Sequence, residues 1–223
     1  MAFFESLIKQ LMDVICAYTN SYGIAIILLT VLIKLVLLPF SFMQINSMKK
    51  MQEIAPIQQK LQQKYKNDKE KLNEEIMKLY QENKVNPFGG CLPLLIQLPI
   101  ILALFRVFQS YDFAGASFLW IPNLSKPDPT YILPILAAVT TYIQTKVSTP
   151  PGTSNQQTAS MNIVMPLMIG WFSIKFAAGL ALYWVVSNVV QIIQQLIFMR
   201  PQPIAKEDIK VDESLRKAGK NSR

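Results

Sequence analysis

The stretch AGLALYWVVSNVVQIIQQLIF, residues 178–198, carries no charged side chain from end to end. A bilayer core of roughly 30 Å takes about 20 helical residues to cross, and this stretch is long enough. It is not uniformly apolar. Trp184, Asn188, Gln191 and Gln195 recur at i, i+4, i+7 and i+11, which sets them on one face of an α-helix. A membrane helix with an amide-rich face must turn that face away from lipid. The segment therefore predicts a helical bundle with a polar interior.

Four more apolar tracts lie upstream, at about 22–41, 90–108, 131–149 and 161–175. The last is short, and Ala178-Gly179 is the expected bend between it and the stretch 178–198. The runs are continuous rather than alternating, which favours helices over barrel strands. The fold class predicted is an all-α membrane protein with five transmembrane helices. Whole-chain composition agrees: mean hydropathy is +0.27, and the charged residues, 16% of the chain, are bunched between the apolar tracts. No internal repeat is evident, so the inverted halves of many transporters are missing.

Basic residues set the orientation. The loop 44–86 holds nine lysines, and Lys146 and the cations from Arg200 to Arg223 fall on the same side. That side is assigned to the cytoplasm, giving N-terminus outside and C-terminus inside. Residues 1–20 are too polar to span. Phe3, Phe4, Leu7, Leu11, Val14 and Ile15 recur at helical spacing, so this segment is read as an interfacial amphipathic helix. Residues 21–200 form the core. Within it, 44–86 is a cytoplasmic αα-hairpin between spans one and two, with Ile54, Ile57, Leu61 and Tyr65 facing Leu72, Ile76 and Leu79. Pro56 is expected to open a new helix. Loop 109–130, rich in aromatics, is expected along the outer interface. Residues 201–223 read as a basic, disordered cytoplasmic tail.

Several chemistries are excluded. The chain has no histidine, so Ser-His and Cys-His catalysis and His-ligated metals are impossible within it. Cys16 and Cys91 have no CxxC spacing. None of the acidic residues falls inside a candidate span, which removes the usual proton- or sodium-carrier machinery and carboxylate acid/base catalysis. No P-loop is present. The expectation is a protein that is not an enzyme and takes no cofactor and no metal.

Lys34 is the most costly residue, since a lysine at a span centre costs about 2.5–3.5 kcal/mol on insertion scales. Thr30 shares its helical face. Gln97, Gln144 and the face Trp184, Asn188, Gln191 fall at the same depth once the spans are oriented. Thr141 and Ser148 join them, while the outer halves carry almost no strongly polar residue. The pattern predicts a half-channel, wet and cationic toward the cytoplasm and sealed above. Its flexible apolar wall would include the methionine-rich fourth span, with Met165.

These residues resemble the YidC-type membrane protein insertases. The resemblance covers roughly 22–200. It rests on NPFGGCLPLLIQLP at 86–99, on YILPIL at 131–136, and on GLALYWVVSN at 179–188 followed by Gln191, Gln194 and Gln195. It implies a bacterial plasma-membrane, multi-pass protein with a groove open to cytoplasm and lipid. Polar segments of nascent membrane proteins would enter the groove, and their apolar helices would leave sideways into the bilayer. In the family a positive residue in the first core span attracts the acidic part of the client. Lys34 stands at that position, where arginine is usual; lysine keeps the charge but not the planar fork. Gln97 and Trp184 fall on groove positions, and Ile101 and Phe172 on the greasy exit path. The implied partners are nascent membrane proteins and membrane lipids, with the Sec translocon and the ribosome as further candidates, no recognition of nucleic acid sequence, and function as a monomer. No large extracytoplasmic domain is expected before the core, and the residues before Cys16 make no lipobox. The rival reading is a small anionic-solute transporter or channel with its site at Lys34.

Overall fold

The computed structural model describes residues 2–83, 85, 92–111, 113, 115–149 and 156–198. The segment 86–91, which carries the start of the most specific motif, and the tail 201–223 lie outside the described residues. Among those described there are eight helices: α1 (Ala2–Thr19), α2 (Tyr22–Val36), α3 (Leu38–Lys64), α4 (Lys69–Glu82), α5 (Leu92–Ser110), α6 (Ile132–Ser148), α7 (Gln156–Ser173) and α8 (Ala178–Phe198).

The bundle is apolar on the outside. Exposed residues include Ile24, Leu28, Leu32 and Leu35 on α2, Ile135 and Val139 on α6, Val164, Leu167 and Trp171 on α7, and Val189, Ile193 and Leu196 on α8. Each set repeats every three or four residues, so each helix turns an apolar stripe outward. Lys34, Thr30, Thr141, Gln191 and Gln195 are buried instead. A soluble bundle has the opposite arrangement, and an exterior of this kind fits hydrocarbon. Among the described helices, α8 alone is by itself long and apolar enough to cross a membrane. The pair α2 and α3 qualifies only together, bent by 63°, and the apolar stretches 97–110 and 162–173 are shorter.

That bend corrects the straight span expected over 22–41. Pro39 has no N–H for the Leu35 carbonyl, and its ring crowds that carbonyl. The helix stops at Val36 and restarts at Leu38. Lys34 consequently sits in the last turn of α2 rather than at a span centre. Pro56 also departs from expectation, because α3 runs through it unbroken to Lys64. It removes one helical hydrogen bond, and tertiary packing holds the helix: Ile54, Ile57 and Leu61 pack with Leu79 and Val85 in a cluster separate from the main core. The bend expected at Ala178-Gly179 falls earlier, at 174–177, and Ala178 already begins α8.

The connection between α5 and α6 does not simply lie along a surface. Phe113, Ile121 and Leu124 are fully buried and join Ile26, Val107, Phe108 and Ala178 in the main core. The loop carbonyls of Lys126 and Leu124 accept from the N–H groups of Ala178 and Gly179 at 2.8 and 2.9 Å, satisfying the orphan donors at the start of α8. Gly23 lies against the Phe118 ring so closely that a Cβ there would fall 2.0 Å from Phe118 Cγ. One end of the bundle is thus plugged by apolar side chains. Helix α1 is tied to the same end. Its Ile8 and Met12 enter the core, Glu5 pairs with Arg106 at 3.0 Å, and the Tyr111 hydroxyl donates to Asp13.

Asp128 anchors the loop to α6. Its Oδ2 accepts from the Leu133 N–H at 2.8 Å, and its Oδ1 accepts from the Thr130 N–H and hydroxyl at 3.0 and 2.7 Å. Burial pushes the carboxyl up, but these donors and the Trp120 indole outweigh it and hold the group below its ordinary 3.8. Asp128→Ala should lose about 1 kcal/mol, as capping residues do. The contribution of Asp128 is complete above the ordinary value and disappears as pH falls toward the depressed one. Thermal unfolding in detergent across acid pH should therefore show a wild-type loss that Asp128→Ala lacks. Parallel pH profiles for the two proteins would refute the assignment.

Candidate functional site

The polar residues gather along α8, from Tyr183 to Gln195. Lys34 Nζ donates to Gln191 Oε1 at 3.1 Å, and Gln191 Nε2 donates to Gln44 Oε1 at 3.4 Å. Gln44 Nε2 lies 3.7 Å from Met48 Sδ, a weak acceptor. The chain of donors begins on a full positive charge and ends on a sulfur. It exists because α2 stops at Val36: the bend sets α3 across the end of α2, bringing Gln44 beside α8. Lys34, Gln191 and Gln44 are 8%, 8% and 6% exposed. The lysine is therefore largely shielded, with the Gln191 carboxamide on its ammonium.

Among the described residues, no opposite charge is paired with the ammonium. Ion pairs among the described residues join Lys78 to Glu74 and Glu75, and Arg106 to Glu5; none reaches Lys34. Buried charges are ordinarily paired, since desolvation costs several kcal/mol per ion. A single amide oxygen is modest compensation.

A second group lies one turn back along α8. Trp184 Nε1 donates to Thr141 Oγ1 at 3.0 Å. The Asn188 amide lies 3.2 and 2.9 Å from the Thr140 and Thr141 hydroxyls, and turning its oxygen toward them also satisfies the indole and the Thr141 N–H. Further toward the C-terminus, Gln144 Nε2 and Gln195 Nε2 both donate to Ser148 Oγ, at 3.0 and 2.7 Å. On the α5 side, Gln97 donates to the Tyr183 hydroxyl. Gln97, Gln144, Trp184 and Asn188 are each half-buried.

The predicted residues are thus brought together on α8, with one exception. Thr30 is fully buried, but its hydroxyl donates to the Ile26 carbonyl of its own helix at 2.6 Å, and no hydrogen bond joins it to Lys34. The exit-path residues fall on two helices: Ile101 on α5, and Met165 and Phe172 on α7. Ile101 and Met165 are half-buried and Phe172 is 39% exposed. Helix α7 packs mainly on α6, whereas α5 packs on α1, α3 and α8. The two sides meet where Phe172 stacks on Phe176, which makes an edge contact with Phe105. Residues that sequence reasoning missed are Gln44, which lay beyond the presumed straight span, and Tyr183, whose hydroxyl was hidden inside an apolar run.

The profile of the family described as 60Kd inner membrane protein matches residues 14–206. The chain belongs to that family. It is 49% identical over 201 residues to a membrane protein insertase YidC of Caldanaerobacter subterraneus, covering 90% of this chain and 96% of that one. It is 44% identical over 206 residues to a protein of the same name from Fusobacterium nucleatum, at 90% and 98% coverage. A solved structure titled "Active YidC insertase crystal structure with the first transmembrane domain resolved" superposes with a TM-score of 0.72 at 30% identity. That match covers 86% of this chain and 45% of the solved one, so the chain spans under half of that protein. The expected family is the family found.

For this family member, the Lys34–Gln191 contact makes a prediction about stability. Gln191→Leu should cost about 1–3 kcal/mol, because it leaves a buried ammonium without its acceptor. Lys34→Met in the same chain should recover much of that loss. A double-mutant cycle on unfolding in detergent measures the coupling, and strictly additive losses would show that the contact carries no energy.

Proposed function

We propose that this chain is a membrane protein insertase of the bacterial plasma membrane, and that Lys34 is the group that receives the acidic, translocated part of its client. The reading is supported by relatives of that name over nearly their whole length. The observation that carries it is Lys34: a buried cation held by a carboxamide, with no carboxylate among its described contacts. An acidic side chain displacing the Gln191 oxygen would give the ammonium an opposite charge in place of a neutral dipole, turning a charge-assisted hydrogen bond into an ion pair.

In this mechanism the bundle crosses the membrane five times, as α2 with the start of α3, α5, α6, α7 and α8. The N-terminus and the plugged end face outward, and α1 lies at the outer interface. The packed pair α3 and α4 is the cytoplasmic hairpin, which meets the nascent client first. The polar end, lined by Gln97, Gln144, Trp184, Asn188 and Gln191, forms a groove open to the cytoplasm. A polar segment entering it has a shorter dry path to cross, and partial hydration lowers its desolvation cost. The client's apolar helix leaves between α5 and α7, past Ile101, Met165 and Phe172. Its burial in lipid supplies the driving force, about 25 cal/mol per Å². No covalent chemistry or bound cofactor enters. The chain works as a monomer, and the Sec translocon and ribosome are candidate neighbours.

Proteoliposomes holding the purified chain and a small two-span client test the proposal. With an acidic translocated loop, Lys34→Ala should slow insertion about tenfold, the worth of one charge-assisted hydrogen bond, while Lys34→Arg should retain it. Equal insertion by the alanine variant across clients would remove the role of charge. Saturable anion flux without insertion would instead favour a solute carrier. Orientation is checked separately: cysteines at Gln97 and Gln144 should be labelled by an impermeant thiol reagent from the C-terminal side, and one at Leu119 from the opposite side.

A further inference from the structure

The turn of α8 that follows Gln191 carries two buried carboxamides. Gln194 and Gln195 are 8% and 0% exposed, yet neither Oε1 has a hydrogen-bond donor among the described residues. Gln195 is fixed at its other end, where Nε2 donates to Ser148 Oγ at 2.7 Å. Both residues lie within one helical turn of Gln191, the residue that holds Lys34. Aromatic contact between Phe42 and Phe198, 4.4 Å between ring centres, closes this end of α8 against α3. This stretch of α8 therefore holds an ammonium donor at Gln191 and, one turn further on, two acceptors without a donor among the described residues.

Unused buried acceptors cost stability, and apolar residues of similar size would pack without that cost. What they fit is a ligand that brings donors. A polar segment in extended conformation brings them as main-chain N–H groups that have no partner of their own outside a helix or sheet. We propose that the carboxamide oxygens of Gln194 and Gln195 form an acceptor site for main-chain N–H groups of the client's polar segment, one helical turn along α8 from the residue that holds Lys34. The site rests on the insertase reading and extends it. Lys34 selects acidic side chains, whereas the glutamine pair binds backbone and so serves uncharged segments as well.

The test is a backbone substitution in the client. A short synthetic two-span client with an uncharged translocated loop is made twice, once with ordinary amides and once with two loop amides replaced by esters, which deletes N–H donors. In wild-type proteoliposomes the ester client should insert about five- to tenfold more slowly, as expected for the loss of one net hydrogen bond. In Gln194→Met/Gln195→Met the amide client should already be slowed by that factor, and the ester should slow it by less than about twofold further. Gln194→Met alone leaves the Gln195–Ser148 bond in place and should show half of the effect, which guards against a misfolded double variant. An ester penalty of the same size in wild type and both variants overturns the site, as does normal insertion of the amide client by the variants. Failure of the wild-type protein to insert any client would count against the insertase reading itself, a separate outcome.

Discussion

Holding one ammonium group out of water imposes more on this bundle than any other single demand. Isolated burial of a charge costs far more than one hydrogen bond returns, so the fold must surround Lys34 with acceptors. Gln191 supplies the direct one at 3.1 Å. Gln191 can be there only if α8 turns its amide face toward α2, and it is steadied by Gln44 only if α3 folds across the end of α2. The 63° bend at Leu37 and the polar face of α8 are thus parts of one arrangement. Low local dielectric strengthens each link in such a chain and raises the cost of breaking one.

The opposite end is built on different physics. Phe113, Ile121 and Leu124 fill the core there, and two glycines allow close approach. Gly23 admits the Phe118 ring, and at Gly179 a Cβ would lie 3.2 Å from Ile26 Cδ1 and 3.4 Å from the Leu124 carbonyl. The loop carbonyls that cap α8 turn a connection into a plug. Polar capacity at one end and a dry seal at the other is what distinguishes a half-path from a pore. A continuous pore would need polar lining past Ile26, Leu29 and Leu133, and these are among the most buried apolar residues.

Much of this was legible in the residues. The face Trp184, Asn188, Gln191, Gln195 is written at helical period, and the structure turns it inward as the period requires. Two stripes in 54–79 announced the packing of α3 on α4. Other features were hidden for physical reasons. The run 22–41 stays apolar on both sides of the break, Val36 and Leu38, so hydropathy cannot register it, and only Pro39 marks it. Pro56, the same residue type, breaks nothing because tertiary packing of Ile54, Ile57 and Leu61 outweighs one lost hydrogen bond. Thr30 was placed on the right face, but a threonine in a helix can turn its hydroxyl back to the carbonyl four residues before it, and Thr30 does. The loop between α5 and α6 has aromatics suited to an interface, yet periodicity says nothing about a segment without a period.

The interior of this bundle is poorly explained as an optimum of stability. Among the described residues, a cation without a counter-charge is held by Gln191, and two amide oxygens without donors lie on the next turn of α8. Each is a deficit that a leucine or methionine would abolish. Natural proteins violate polar satisfaction in few places, and those places are where function or strain resides. Here the deficits are complementary to one kind of guest. A polypeptide segment that has left water but not yet formed secondary structure carries free carbonyls and carboxylates for the ammonium, and free N–H groups for the amide oxygens. Few small solutes present both in extended register. On the insertase reading, the unmet hydrogen-bonding capacity of Lys34, Gln194 and Gln195 would suit a chain in transit better than an ion, and that match would tie the cost of the site to its use.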